Sequence, residues 1–166
     1  MSFNADELTL ILVKTSNNES RTFNYPFKPT EIAQWVGSHE VEVADHNMPF
    51  DLTYPFETKH LNEVISELSN STLSSLSDDV IHKIVDNVYD GSWKKIENPN
   101  QLTVIEAPDD RNFAMELQEQ MGWEASTFVL SNQDILNYVD WDKVGRDLRL
   151  AGDYIDLDNG YYVNSN

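Results

Sequence analysis

Three pairs of closely spaced carboxylates are the residues best suited to chemistry in this chain: Asp109-Asp110, Asp140-x-Asp142 and Asp156-x-Asp158. Two carboxylates within reach of one ligand can share a proton or hold a divalent cation. With 29 acidic residues in 166, however, such pairs arise by chance, and none carries a second signal. The run 153–160, DYIDLDNG, looks like a calcium loop, yet counting back from Gly160 places Ile155 and Leu157 where the first and third oxygen ligands belong. Pro108-Asp109 opens like a nuclease motif, but no lysine follows at usable spacing, and a nuclease needs a surface that tolerates phosphate. His39, His46, His60 and His82 show neither H-x-x-x-H nor H-E-x-x-H spacing, and cysteine is absent, so no zinc site is expected. Nor is there a Walker loop, a dinucleotide fingerprint or a nucleophile elbow. The residues therefore predict no catalytic group, no metal and no cofactor.

The carboxylates matter more as a population. Twenty-nine acids against 11 bases leave a net charge of −18, with a pI near 4.3. Self-repulsion on this scale destabilises a compact state and calls for a reason: solubility, salt adaptation or an electropositive partner. It argues against nucleic acid as a ligand. The asymmetry is strongest between Ile96 and Asp142, where Arg111 is the only base and the acids are Glu97, Glu106, Asp109, Asp110, Glu116, Glu119, Glu124, Asp134, Asp140 and Asp142. Forty per cent hydrophobic residues, with apolar periodicity along nearly the whole chain, exclude disorder as the explanation. No apolar run is long enough to span a bilayer, and the N-terminus MSFNADE lacks a signal core. A soluble, cytoplasmic protein without a membrane partner is expected.

The elements that must position these charges read as α+β. Leu8 to Val13 is an unbroken apolar run, expected as a central strand buried on both faces, and Arg21 to Tyr25 as a second strand. A helix capped by Thr30 should turn Ile32, Ala33, Trp35 and Val36 inward and stop at Gly37, and Glu40 to Val43 alternates as a one-sided strand. After the prolines of 47–55 the texture becomes helical. Thr58 is placed to cap a helix with Leu61, Val64, Ile65 and Leu68 on one face, and a second helix carries Val80, Ile81, Ile84, Val85 and Val88 behind Asp78 and Asp79. Beyond Asn98-Pro99-Asn100 come a strand, Leu102 to Ile105, and a helix opened by Pro108-Asp109-Asp110, with Phe113, Leu117 and Met121 inward, Glu116 and Glu119 outward, and Gly122 as its stop. Ser131 with Asp134 has the S-x-x-D form of a cap before Ile135, Leu136 and Val139. The tryptophans Trp35, Trp93, Trp123 and Trp141 read as core, although Tyr138 and Trp141 also suit a subunit interface. The domain division is 1–52, an α+β subdomain of three strands and one helix; 53–99, a helical subdomain; and 100–166, a second α+β subdomain.

The stretch 137–160 organises the C-terminal third. Asp140 should cap a helix with Trp141, Val144 and Leu148 on its apolar face, Gly152 should stop it, and Asn159-Gly160 should close a two-residue type I′ hairpin returning Tyr161 to Val163 against Ile155 and Leu157. The runs Tyr138-Val139-Asp140-Trp141, Gly145-Arg146-Asp147-Leu148, Leu150-Ala151-Gly152-Asp153-Tyr154-Ile155 and Asn159-Gly160 resemble the C-terminal signature of the ArdA antirestriction proteins, with a looser echo at Met48-Pro49-Phe50 and Leu61-Asn62. Val144 stands where that family's pattern has an aromatic residue before the Gly-Arg-Asp.

The resemblance implies an acidic protein carried by mobile elements that mimics duplex DNA and occupies the cleft of a type I restriction-modification enzyme, at its methyltransferase and specificity core. It implies three small subdomains in line, an elongated molecule, and a homodimer joined through the C-terminal subdomain with Tyr138, Val139, Trp141 and Val144 at the contact. The ten acids between Ile96 and Asp142 named above are then the candidate mimic face. Duplex DNA places one charge per about 1.7 Å of axis, so 18 net charges match about 30 Å of duplex, and a two-fold dimer about 60 Å. Three other readings fit the charge alone: an acidic module for another basic protein, a metal-dependent enzyme using a carboxylate pair, and a salt-adapted housekeeping domain.

Overall fold

A computed structural model of the chain describes residues 2–122 and 135–164, and it is mixed α+β, as expected. The chain divides into two compact units, Met1–Gln101 and Leu102–Asn166.

In the N-terminal unit, β1 (Thr9–Lys14) pairs antiparallel with both β2 (Ser20–Asn24) and β3 (Val41–His46), which makes the apolar run the central strand of a three-stranded sheet. Its burial alternates: Leu10 and Leu12 are fully enclosed, whereas Ile11 and Val13 are only half-covered. The expected two-sided burial is thus corrected to one sealed face. At the strand's end Lys14 lies almost buried, its ammonium 4.6 Å from the Trp35 ring centre and 3.2 Å from Glu19, whose pKa it lowers by hydrogen bond and charge.

Helix α1 (Pro29–Val36) begins on proline, which donates no N–H and suits the first helical position. Thr30 therefore lies inside the helix instead of capping it. Ile32 and Val36 are buried, but Ala33 is exposed, because an eight-residue helix of this pitch turns only one narrow stripe inward. Helix α2 (Thr58–Ser69) likewise starts at Thr58, with Glu57 before it, and it buries Leu61, Val64, Ile65 and Leu68 as expected. Helix α3 (Asp78–Val88) buries Val80, Ile81, Ile84 and Val85, with Asp78 and Asp79 in its first turn and Val88 half-covered.

Residues 48–52 join the sheet to these helices. Met48, Phe50 and Leu52 are buried, and Phe50 stacks on Trp93 with ring centres 6.0 Å apart. Asn62 on α2 grips the backbone of Phe27 in both directions, accepting its N–H at 3.0 Å and donating to its carbonyl at 2.6 Å. Asn47 does the same across Thr9 and Glu7, at 2.7 and 2.9 Å. Asparagine bridges of this kind give partners to backbone groups at and beyond the ends of the strands.

The C-terminal unit holds a second three-stranded sheet in the order β4-β6-β5, from β4 (Val104–Glu106), β5 (Tyr154–Asp156) and β6 (Tyr161–Asn164), so the last strand is the central one. Its register pairs Ile155 with Val163 and Ile105 with Tyr162. The hairpin loop is one residue longer than the Asn159-Gly160 pair predicts. Leu157 donates to the Tyr161 carbonyl at 2.9 Å, and the three residues between include Asp158 at φ 59° and Gly160 at φ 84°. Aspartate tolerates that left-handed geometry, here with its N–H held by the Asp156 carboxylate at 2.9 Å. Helix α4 (Asp110–Met121) buries Phe113, Ala114 and Leu117 and stops at left-handed Gly122, while Met121 at its end is 73% exposed and not part of the core. Helix α5 (Trp141–Leu150) is capped by Asp140, whose carboxylate accepts the Lys143 N–H at 3.1 Å. The cap expected at Ser131 and Asp134 lies outside the described residues.

One histidine gives the N-terminal unit an acid limit. His46 Nδ1 accepts the Met48 N–H at 3.2 Å, and burial lowers its pKa against the opposing pull of Asp45 and Asp51, with His82 adding to the lowering. The unfolded chain then binds a proton below about pH 6.5 that the folded unit resists, so this contribution is present above that pH and lost below it. Urea unfolding should show a lower midpoint at pH 5.5 than at pH 7.5, and His46→Gln should shrink the difference; an unaltered difference would refute the assignment to His46.

Candidate partner-binding face of the C-terminal unit

The ten expected acids fall into distinct settings. Glu97 belongs to the N-terminal unit, exposed just after Ile96. In the C-terminal unit Glu106 is the outward residue of β4, Asp109 caps α4, and Glu116 and Glu119 stand a turn apart on the exposed side of that helix. Asp140 and Asp142 open α5, both exposed. Glu124 and Asp134 lie outside the described residues.

Two of these acids cap the helices they begin. Asp109 accepts from the backbone and side-chain nitrogens of Asn112, each at 2.8 Å, and Asp140 accepts from Lys143. A capping carboxylate satisfies helix N–H groups that would otherwise have no partner, and its charge complements the helix dipole. Among the described residues Glu106, Asp109, Glu116, Glu119 and Asp140 form no salt bridge. Asp142 does, 3.3 Å from the Arg111 guanidinium.

Asp110 turns the other way. Its carboxylate takes a forked pair of hydrogen bonds from Arg149 Nε and Nη2, at 3.1 to 3.3 Å, and a third at 2.9 Å from the Tyr162 hydroxyl. The group joins the start of α4 to the last turn of α5 and to the central strand. Arg149 holds its pKa below the ordinary carboxylate range mainly through those hydrogen bonds; Tyr162 and the charges of Arg149 and Arg146 add to this, and burial opposes it. Burial, chiefly, and the Asp110 carboxylate push the Tyr162 phenol well above its usual value. Tyr162 itself stacks on Phe113 at 4.2 Å between centres, beside Ile105, Ala107 and Leu117.

The same junction explains a glycine. A Cβ on Gly145 would lie 1.8 Å from the Asp110 carbonyl oxygen, so the backbones of α4 and α5 touch at a point where no side chain fits. Neither Arg149 nor Tyr162 was predicted as a partner of Asp110. The sequence signal was only a cation in the last turn of a helix, which the dipole alone accounts for.

The neighbouring carboxylates stand in different settings: Asp109 caps while Asp110 is turned inward, Asp140 caps while Asp142 meets Arg111, and the Asp156 carboxylate accepts the Asp158 backbone N–H. Among the described residues no group of three or more His, Asp or Glu side chains converges as a metal site would.

Of the expected interface residues, Tyr138 is 81% exposed, and Val139 and Val144 are half-covered. Trp141 is buried within the unit, its indole N–H donating to the Leu136 carbonyl at 3.2 Å. Trp141, Val139 and Val144, with Leu117, Met121 and Leu148, line an apolar groove of about 300 Å³ between α4 and α5.

The model of the antirestriction protein (ArdA) family matches residues 21–163, and the chain belongs to that family. The match spans most of the molecule, well beyond the C-terminal runs on which the resemblance was first visible. No individual curated protein matches the chain closely enough to add to this. No helix among the described residues is long and apolar enough to cross a membrane.

The Asp110 junction fixes two expectations for the C-terminal unit. Gly145→Ala should cost about 2 kcal/mol or more, since backbone must move to admit the methyl group. Asp110→Asn should lower the stability of the unit, because it removes the carboxylate that accepts the forked bond of Arg149 and the Tyr162 hydroxyl. For Asp110 the folded pKa is lowered, so its contribution is present above about pH 4 and lost as pH falls through the folded value. For Tyr162 the folded pKa is raised, so its contribution is present below about pH 10 and fades above it. Thermal melts of the three proteins from pH 3 to 11 measure all of this, and an Asp110→Asn variant with the wild-type acid limb would contradict it.

Proposed function

We propose that this protein is an antirestriction inhibitor that competes with DNA for the cleft of a type I restriction-modification enzyme, its carboxylates standing where phosphates would. The observation that carries the reading is the family match over residues 21–163, and the net charge of −18 supplies the physics. Lysine and arginine side chains that displace counterions from a duplex meet Asp and Glu instead. The inhibitor acts by binding to the methyltransferase and specificity core, without turnover, without a cofactor and without binding nucleic acid itself.

Within the C-terminal unit the proposed face comprises Glu106, Asp109, Glu116, Glu119, Asp140 and Asp142, with Glu124 and Asp134 assigned from the sequence. Glu97, exposed in the N-terminal unit, is assigned to the proposed contact from the sequence. Asp110 supports the scaffold from within. The proposed assembly is a homodimer in the cytoplasm of a host carrying the mobile element. Tyr138, Val139 and Val144 would form its contact and Trp141 would pack beneath, because exposed tyrosine beside half-covered valines matches the composition of interface cores.

The test is displacement of a labelled duplex from the methyltransferase core by the wild-type protein at several salt concentrations. Release of DNA, weaker at higher salt, supports the mechanism, whereas DNA that stays bound at excess inhibitor rules it out. Glu116→Lys, Glu119→Lys and Glu106→Lys combined should weaken displacement by about a hundredfold, at about 1 kcal/mol for each reversed contact, while any one alone changes it by less than about tenfold.

A further inference from the structure

Arg111 is the one base between Ile96 and Asp142, and it stands on the first turn of α4 beside the capping Asp109. Its Nη1 lies 3.3 Å from Asp142 Oδ2 across to α5, with the two side chains 53% and 73% exposed. The remaining described acids of the face in this unit, Glu106, Asp109, Glu116, Glu119 and Asp140, form no salt bridge.

We infer that Arg111 is a specificity-determining residue of the proposed face, an internal cation that occupies Asp142 in the free protein and must swing away before a partner's lysine or arginine can use it. The inference rests on the competitive reading above and deepens it. An exposed pair of this kind contributes about 0 to 1 kcal/mol, so opening it is cheap and a better-placed cation in a low-dielectric cleft can displace it. Two consequences follow from the charge. While paired, Arg111 cancels one of the charges presented to the cleft. Once displaced, it is a cation facing cations, and its long side chain must be carried to the rim of the contact. Both effects lower affinity for any basic surface, and they do so most for a cleft with a cation opposite Asp142. Arg111 thereby favours targets whose positive groups are spaced to bypass that position, a repulsive element that sharpens choice among similar clefts.

The experiment compares wild type, Arg111→Gln, Arg111→Lys and the double variant Arg111→Gln with Asp142→Asn, in duplex displacement from the methyltransferase core across a salt series. Arg111→Gln should displace DNA at about fivefold lower concentration and steepen the dependence of log affinity on log salt by about one, as one more ion contact is made. Arg111→Lys should behave as wild type, and the double variant should lose the gain. Thermal midpoints within a degree or two of wild type separate this from a change in folding. Unchanged affinity and slope in Arg111→Gln would overturn the inference, as would weaker displacement, which would place Arg111 against an anion of the target. Failure of the wild type to displace duplex at all would instead strike the underlying competitive reading.

Discussion

A single inward carboxylate organises the C-terminal unit. Asp110 begins α4, and its three hydrogen bonds reach Arg149 at the far end of α5 and Tyr162 on the central strand, so one group fixes two helices and a sheet. The arrangement is self-consistent in charge. A carboxylate in the first turn of a helix is favoured by the dipole there, a guanidinium in the last turn of another is favoured by the opposite pole, and the Tyr162 phenol donates to the same carboxylate, which together with burial raises its pKa. Gly145 is the steric half of the same joint, the point where the α5 backbone meets the Asp110 carbonyl too closely for a side chain.

The rest of the molecule bears the constraint of like charge. Its cations are few, and several are paired locally: Lys14 with Trp35 and Glu19, Arg21 with Glu31, Lys95 with Asp90, and the more enclosed Arg149 with Asp110. Most carboxylates stay in water, where screening over about 10 Å weakens their mutual repulsion. The buried core under them is ordinary, built of leucine, isoleucine, valine and stacked aromatics, and it supplies cohesion that the surface does not.

Helical faces were the most legible part of the sequence, because apolar spacing at three and four residues has one solution when the stripe is narrow. Leu61, Val64, Ile65 and Leu68 are the clearest case, and the Asp140 cap and Gly122 stop are equally local signals. Helix starts at Thr30 and Thr58 misled, since a threonine near a start is compatible with either side of the boundary, and at Thr30 the preceding proline takes the first position. The hairpin misled for a related reason: Asn-Gly suits a two-residue turn, but Asp158 also adopts the left-handed geometry and lengthens it. The inward turn of Asp110 was not legible at all. Its partner Arg149 is 39 residues away, and nothing in a DD dipeptide distinguishes the acid that caps from the acid that turns inward.

Dense negative charge and a stable fold are compatible here because the same carboxylates serve both. Asp78, Asp79, Asp109, Asp110 and Asp140 all sit at helix N-termini, where their charge is favourable to folding. Asp109 and Asp140 are also tied by their own hydrogen bonds while remaining exposed. A carboxylate held this way has little rotamer freedom left to lose on binding, unlike a glutamate on a mid-helix surface. The two capping aspartates of the proposed face are therefore preorganised in a way that its glutamates are not. In the proposed competition with a rigid polyanion that restriction counts beside the number of charges, since each phosphate to be replaced is itself fixed in space.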